Sequence, residues 1–124
     1  MSWRRTAHHH HRAMSAKNEL LSMSASPIAY YAALSRASGS VTAGVMLSWL
    51  IQQVEDGDPL RWIPGAAAKL EEETGLTRRE QETARRQLRG RGFIEERLAG
   101  IPATLYYHVN LDAVAKAVKG VRNG

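Results

Sequence analysis

Apolar residues at helical spacing dominate the stretch between positions 27 and 54. Serine at 26 and proline at 27 are typical of a helix start, because serine caps the helix and proline is tolerated at its first position. A helix over residues 27–37 would stack its larger apolar residues near one another: Ile28, Tyr31, Ala32 and Leu34. Gly39 and Ser40 then interrupt the pattern. Residues 41–54 are dense in apolar side chains, which predicts a mostly buried helix at the centre of the core.

A polar loop and a short strand are predicted next. Residues 55–59 combine acidic side chains with glycine and proline, the composition of a solvated turn. These acids lack the alternating spacing and the distal glutamate of a calcium loop, so we expect no calcium site here. Residues 60–63 predict a short strand that ends at Pro64 and Gly65.

Two helices joined by a tight turn are predicted over residues 66–73 and 78–89. Gly75 lies where a helix can end in the left-handed conformation, which glycine adopts without steric cost. Thr77 and Glu80 match a capping box, in which each side chain bonds the backbone amide of the other residue. Helices connected this closely are typical of a helix-turn-helix.

The second of these helices carries arginine along one side. If Ala84 points inward, then Leu88, Gln81 and Glu80 also face the domain. The opposite side holds Arg78, Arg79, Glu82, Arg86 and Arg89, and Arg85 flanks them. Residues 78–91 contain six arginines and two glutamates, whereas residues 66–73 contain one lysine and three glutamates. Positive charge is therefore concentrated on the second helix.

Arginine on this face has two interpretations. In one, the face is simply solvated and carries pairs such as Glu82 with Arg86, an i,i+4 pair that stabilises a helix by only about 0.2–0.5 kcal/mol. That interpretation leaves Arg78, Arg79 and Arg89 without partners. In the other, the face binds DNA, because a guanidinium pairs bidentately with guanine or phosphate and stays charged when partly desolvated. We favour DNA contact.

A β-hairpin and a last helix are predicted after the arginine-rich helix. Two β-rich runs, residues 93–98 and 104–110, are separated by a turn rich in glycine and proline. In this position the hairpin would be a wing, with three alternating residues facing the core (Leu105, Tyr107 and Val109) and Tyr106 and His108 pointing outward. Asn110 can cap a helix over residues 111–119 that ends at Gly120. Its apolar stripe either packs on the domain or meets a partner.

Composition adds limits rather than a function. The 44% hydrophobic content fits one globular domain, and the absence of cysteine excludes disulfides and thiolate metal sites. Most of the net charge of +5 lies in residues 1–17, so the charge of the whole chain says little about partners. The run His8 to His11 fits a tag remnant or a low-complexity tail, and we expect no metal or other cofactor.

The chain is accordingly divided into a disordered tail or tag remnant at residues 1–18, a domain at 19–120 and a short tail at 121–124. No run approaches the roughly 20 apolar residues that cross a bilayer. No leader pattern is evident, so we expect a cytoplasmic protein without membrane contact.

Over residues 19–118 the chain resembles the winged-helix proteins of bacteriophages, plasmids and integrated elements. The most specific parts of the resemblance are Thr74-Gly75-Leu76-Thr77, Gly92-Phe93-Ile94-Glu95 and Gly100-Ile101-Pro102-Ala103 leading into Tyr107. It implies an α+β winged helix-turn-helix in which Thr77 to Arg89 is similar to the recognition helix and Arg97 to Ala103 to the wing. Two features depart from the pattern. Glu71 stands where a small residue is common, and the wing tip is apolar rather than basic.

The sequence therefore predicts a double-stranded DNA-binding protein, acting as a homodimer, in transcriptional regulation or replication initiation of a mobile element. The candidate DNA-binding residues are Thr77, Arg78, Arg79, Glu82, Arg85, Arg86, Arg89, Arg91 and Arg97. Phosphate contacts are expected from Arg78, Arg79, Arg85 and Arg91, and base contacts from Arg86 and Arg89 with Gln87. The alternative is a protein-interaction adaptor that uses the wing or the C-terminal helix. We expect no enzyme, because no phosphate loop, metal-ligand spacing or nucleophile-base pair is present.

Overall fold

The computed structural model describes residues 15–23, 28–54, 58 and 61–123. In chain order its elements are α1 (15–23), α2 (Ala32–Ser38), α3 (Val41–Gln53), β1 (Ile63–Pro64), α4 (Ala67–Thr74), α5 (Arg78–Gly90), β2 (Ile94–Ala99), β3 (Thr104–Val109) and α6 (Leu111–Asn123). The fold is α+β, mainly helical with one small antiparallel sheet, as predicted. The histidine run, the helix start at residues 26–27 and most of the acidic loop lie outside the described residues.

Helix α3 is the centre of the core, as its dense apolar pattern predicted. Met46, Leu47, Trp49 and Leu50 are all buried. Each large apolar side chain taken out of water stabilises the fold by about 1.5–3 kcal/mol, so this helix contributes much of the hydrophobic free energy. The indole N–H of Trp49 donates to the carboxylate of Glu73 at 2.8 Å, which ties α3 to α4. Leu34, Ile63, Leu70, Leu88, Phe93, Val109 and Val114 pack into the same cluster from the surrounding elements.

The start of α2 differs from the prediction. Residues 28–31 are not helical, and α2 begins only at Ala32. The amide of Gln52 explains the difference, because its Nε2 donates to the carbonyl of Ala29 and its Oε1 accepts from the N–H of Ala29. Both backbone groups of Ala29 are thus satisfied by a side chain of α3, and the helical bonds that the local sequence favours are not needed.

The sheet has the strand order β1-β3-β2, with both pairs antiparallel. Arg97 lies opposite Tyr106, and Ile63 lies opposite Tyr107. The strand predicted at residues 60–63 is displaced toward the C-terminus and includes Pro64. An edge strand tolerates proline because the missing N–H can face away from the sheet. The central strand β3 consequently receives the core on one face and leaves a second face outward.

Two features near the ends of the chain also differ from the prediction. Residues 15–18, predicted to be disordered, belong to α1, whose side chains are exposed. Helix α6 continues through Gly120 to Asn123, whereas the sequence predicted its end at Gly120. Gly120 does not adopt the left-handed conformation of a helix stop, and glycine inside a helix costs only about 1 kcal/mol. The apolar stripe of α6 packs on the domain against α2, with Val114 buried, which resolves the alternative left open for it.

Candidate nucleic-acid interface

The turn between α4 and α5 has the local structure that the sequence predicted. Gly75 adopts φ +79°, and its N–H donates to the carbonyl of Glu71 at 2.8 Å. The capping box is complete: the N–H of Glu80 donates to Thr77 Oγ1 at 3.2 Å, and the N–H of Thr77 donates to Glu80 Oε1 at 3.0 Å. Glu80 is exposed, however, and was wrongly assigned to the inward side. The capping bonds hold its carboxylate at the helix end instead.

A single buried amide fixes α5 against α4. Gln81 is 4% exposed, and its Nε2 donates to the carbonyl of Ala67 at 2.9 Å and to that of Leu76 at 3.0 Å. Ala84 and Leu88 are buried below it, as predicted. One side of α5 therefore packs in the core, and the opposite side faces solvent.

The solvent side of α5 divides into arginines with partners and arginines without. Arg78, Arg79 and Arg86 are exposed, and their guanidinium groups have no hydrogen bond or ion pair to any residue in the described ranges. The pair of Glu82 with Arg86, considered for a solvated face, is not formed among those residues. We call Arg78, Arg79 and Arg86 the open arginines.

Glu96 of β2 holds two of the other arginines. The guanidinium of Arg85 contacts it twice, Nε to Oε1 and Nη2 to Oε2, each at 2.9 Å. Arg89 Nη1 adds a third contact to Oε2 at 3.1 Å. Only 9% of the Glu96 side chain is exposed, so these are partly desolvated, charge-assisted bonds. The sequence left Arg89 without a partner, and that expectation is wrong because the partner comes from a strand folded back onto α5.

Electrostatics at this cluster follow from its hydrogen bonds. The Arg85 guanidinium, bonded to both oxygens of Glu96, holds the pKa of that carboxyl below its ordinary value despite the opposing effect of burial. The same bonds raise the pKa of Arg85. Glu96 therefore stays ionised and neutralises part of the positive charge of α5.

Two more residues predicted to contact DNA form hydrogen bonds with other parts of the protein. Arg91 Nη1 donates to the carbonyl of Ala37 in the last turn of α2 at 2.8 Å, where the helix dipole favours a cation. Gln87 Oε1 accepts from the hydroxyl of Ser40, the N-cap of α3, at 2.7 Å. Both side chains therefore connect the end of α5 to α2 and α3, and neither belongs to the open arginines.

Arg97 lies on the outer face of the sheet. Its guanidinium carbon is 5.8 Å from the centroid of the Trp62 ring. Since neighbouring residues of a strand point to opposite faces, Arg97 and the inward Glu96 lie on different sides of β2. The structure thus separates Arg97 from the arginines of α5.

A groove of about 580 Å³ runs beside Arg78, between the start of α4, the side of α5 and the β2–β3 hairpin. Ala66, Ala67 and Ala68 line it together with Arg78 and Arg85. The first amides of a helix have no partners within that helix, and Ala66 offers no side-chain cap. The start of α4 and Arg78 therefore border the same groove, a combination suited to a phosphate.

Tyr107 lies at the bottom of this groove. A Cβ on Gly65 would stand 2.1 Å from the Tyr107 ring, so only glycine allows that close approach. Burial raises the pKa of Tyr107 to about 12, so its hydroxyl stays protonated into the alkaline range.

Sequence reasoning missed Glu96 and the start of α4 as parts of this site. Glu96 had a detectable signal, because it lies two residues after Ile94 and so shares the inward face of the strand, where a carboxylate needs a cation. The role of Ala66 to Ala68 had no signal in residue type. It depends on where the helix begins and on what folds beside it.

Comparison with protein families, curated proteins and solved structures finds no match for this chain. Within the ranges that the structure describes, no group of three or more histidine, cysteine, aspartate or glutamate side chains could hold a metal ion. Helices in the same ranges include none with the length and apolar character needed to cross a membrane.

Proposed function

We propose that this chain is a winged helix-turn-helix protein that binds double-stranded DNA through the open arginines of α5. The element order supports the fold: a strand, two helices with a tight turn, and a hairpin that completes a three-stranded sheet. In such proteins the second helix of the pair enters the major groove. The observation that carries the proposal is the set of three exposed guanidinium groups, without partners among the described residues, on the helix that would enter it.

The groove beside α5 supports a division of roles. The α4 amides and Arg78 are suited to a DNA phosphate, which would fix the orientation of the domain on the duplex. Arg79 and Arg86 project from the face that would meet base edges, where a bidentate arginine–guanine contact contributes about 1–3 kcal/mol of discrimination. Arg85 and Arg89 contribute less, since Glu96 already occupies their donors.

The test is a binding titration of the full chain with a duplex selected from random sequences, repeated at several salt concentrations. Each phosphate neutralised contributes roughly −0.9 to the slope of log affinity against log salt. A slope of several units is expected. Affinity that does not change between ~50 and ~200 mM salt would contradict the proposal.

A homodimer on two half-sites about one helical turn apart is the arrangement that we propose for the complex, as in many helix-turn-helix proteins. Sedimentation of the protein with a palindromic duplex should give a 2:1 complex. The resemblance to phage and plasmid winged-helix proteins supports a role in transcriptional regulation or replication initiation of such an element. The cytoplasm is the proposed location.

The second candidate is a protein-interaction adaptor, favoured by one observation: Ile101 at the hairpin tip is fully exposed. The apolar stripe of α6 supports this candidate less, because that stripe packs on α2. Replacing Arg78 and Arg86 by alanine separates the two candidates. A DNA-binding protein loses its duplex affinity, whereas an adaptor keeps its partner in a pull-down.

A further inference from the structure

The outer face of the sheet carries a cluster of aromatic rings that the duplex interface does not use. Trp62, just before β1, lies 5.7 Å from His108 between ring centroids, with the rings tilted by 46°. Arg97 of β2 covers the Trp62 ring from the opposite edge of the sheet. Tyr106 stands between them on β3, directly across from Arg97. We call Trp62, Arg97, Tyr106 and His108 the outer cluster.

The outer cluster leaves a notch rather than a closed contact. Ala99 is the small residue next to three large ones, and Trp62, Arg97, Ala99 and Tyr106 together line an open space of about 170 Å³. The three aromatic rings are only half-buried, whereas Tyr107 on the inner face is in the core. Three aromatic rings thus remain partly exposed around the notch.

We propose that the outer cluster binds an unpaired base of single-stranded nucleic acid. A base is planar and has two π faces, so it stacks on tryptophan, tyrosine, histidine or a guanidinium plane. The phosphate next to it is anionic, and Arg97 has no ion pair to a carboxylate among the residues described. Arg97 can therefore stack on the base and neutralise the charge of its phosphate at the same time. Glu95, opposite His108, limits the phosphate path to the Arg97 side.

The tip of the β2–β3 hairpin supports the same ligand. Residues 100–103 carry no charge, and Ile101 projects fully into solvent at the end of the strands that hold the notch. Apolar side chains at such positions can insert between base steps and unstack them. Ile101 would open the end of a duplex, and the neighbouring notch would receive the base that is released.

A protein ligand fits this face less well. An acidic side chain would supply the negative charge but no ring to stack on Trp62 or Tyr106. Nucleic acid supplies the ring and the negative charge in one repeating unit. The proposed ligand, an unpaired base with its phosphate, occurs in both DNA and RNA. Separate DNA and RNA oligomers distinguish these two sources.

The experiment measures binding of fluorescent dT and rU oligomers of about ten nucleotides to the full chain, within the usual site sizes. Binding should quench Trp62, and the difference from a Trp62→Phe variant isolates that signal. Arg97→Ala should weaken oligomer binding about tenfold, while Arg97→Lys, which keeps the charge but loses the plane, should weaken it less. Ile101→Ser should reduce the affinity for a duplex with a single-stranded end but not for dT, and Val41→Ser, at another exposed aliphatic position but on α3, should change neither.

The inference stands apart from duplex recognition. Replacing the open arginines should weaken blunt-duplex binding about 100- to 1,000-fold and leave oligomer binding within about threefold, because they lie on α5. Absence of Trp62 quenching by both oligomers, or equal binding by wild type and Arg97→Ala, would overturn the inference. A Trp62 response to proline-rich peptides without one to oligomers would also overturn it and would identify the face as a protein-docking surface.

Discussion

Arg85 and Arg86 are neighbours in sequence, yet their guanidinium groups have opposite surroundings. Arg85 turns toward β2 and forms two bonds with Glu96, while Arg86 points to solvent with no partner in the part of the chain that the structure describes. The same contrast divides the whole arginine-rich segment. Arg78 and Arg79 join Arg86 as open arginines, whereas Arg89 and Arg91 are held like Arg85. Arginine content alone therefore overstates the charge available to DNA by about a factor of two.

The largest effect is expected from removing the open arginines. The triple variant Arg78→Ala, Arg79→Ala, Arg86→Ala should lose about 100- to 1,000-fold in duplex affinity, because each charge-assisted contact contributes about 1–3 kcal/mol and such terms are not fully additive. Its melting temperature should stay close to that of the wild type, since surface changes of this kind are mostly within about 0.5 kcal/mol. Fluorescence anisotropy and thermal melting measure the two quantities.

The Arg36→Ala, Lys116→Ala, Lys119→Ala protein is the matched control, because it also removes three exposed positive charges, but on α2 and α6. It should change duplex affinity less than about twofold. If the control and the triple variant weaken binding alike, overall charge rather than the open arginines determines affinity.

The second-largest effect is expected from releasing Arg85 and Arg89 from Glu96. Glu96→Gln removes the carboxylate charge that holds Arg85 and Arg89, and we expect the free energy of unfolding to fall by about 1.5–3 kcal/mol, the range for hydrogen bonds to charged groups. Duplex affinity should rise, since two guanidinium groups become available to phosphates. Chemical denaturation and a salt titration on the same variant measure both changes, and unchanged affinity would show that freed arginines do not reach DNA.

A pH series tests the interaction of Glu96 with Arg85 and Arg89 without mutation. Folding lowers the pKa of Glu96 from the ordinary carboxyl value of 4.5. The stabilisation is therefore complete above that value and is lost as the pH falls through the lower, folded pKa. The wild type should lose more stability than Glu96→Gln over this acidic range. Parallel curves for the two proteins would mean that other carboxyl groups account for the acid sensitivity.

The smallest effect concerns Arg91. Arg91→Ala removes the bond to the carbonyl of Ala37 and should destabilise the fold by about 1 kcal/mol, while duplex affinity changes less than about twofold. Arg36→Ala, another exposed arginine but on α2, controls for the loss of charge. A large loss of affinity in Arg91→Ala alone would return Arg91 to the phosphate contacts that its position in the sequence suggested.

Features set by near neighbours in sequence were predictable. The capping box of Thr77 and Glu80, the left-handed Gly75 and the inward positions of Ala84 and Leu88 all depend on residues within two helical turns. Features set by distant residues were not. Gln52 holds Ala29 out of a helix from 23 positions away, and Glu96 captures Arg85 and Arg89 only after the hairpin folds back. The site was therefore predicted as a helix face, and its division into open and held arginines required the tertiary structure.

The amide of Gln81 has a consequence for how the arginine face moves. Its two N–H bonds reach the first turn of α4 and the end of the connecting turn, so a change in the angle between α4 and α5 must break both at once. The pair should therefore rotate as one rigid body on the timescale of collective motions, roughly microseconds to milliseconds. Asparagine, one methylene shorter, would be too short to reach both carbonyls, and the orientation of the arginines would then fluctuate independently of α4.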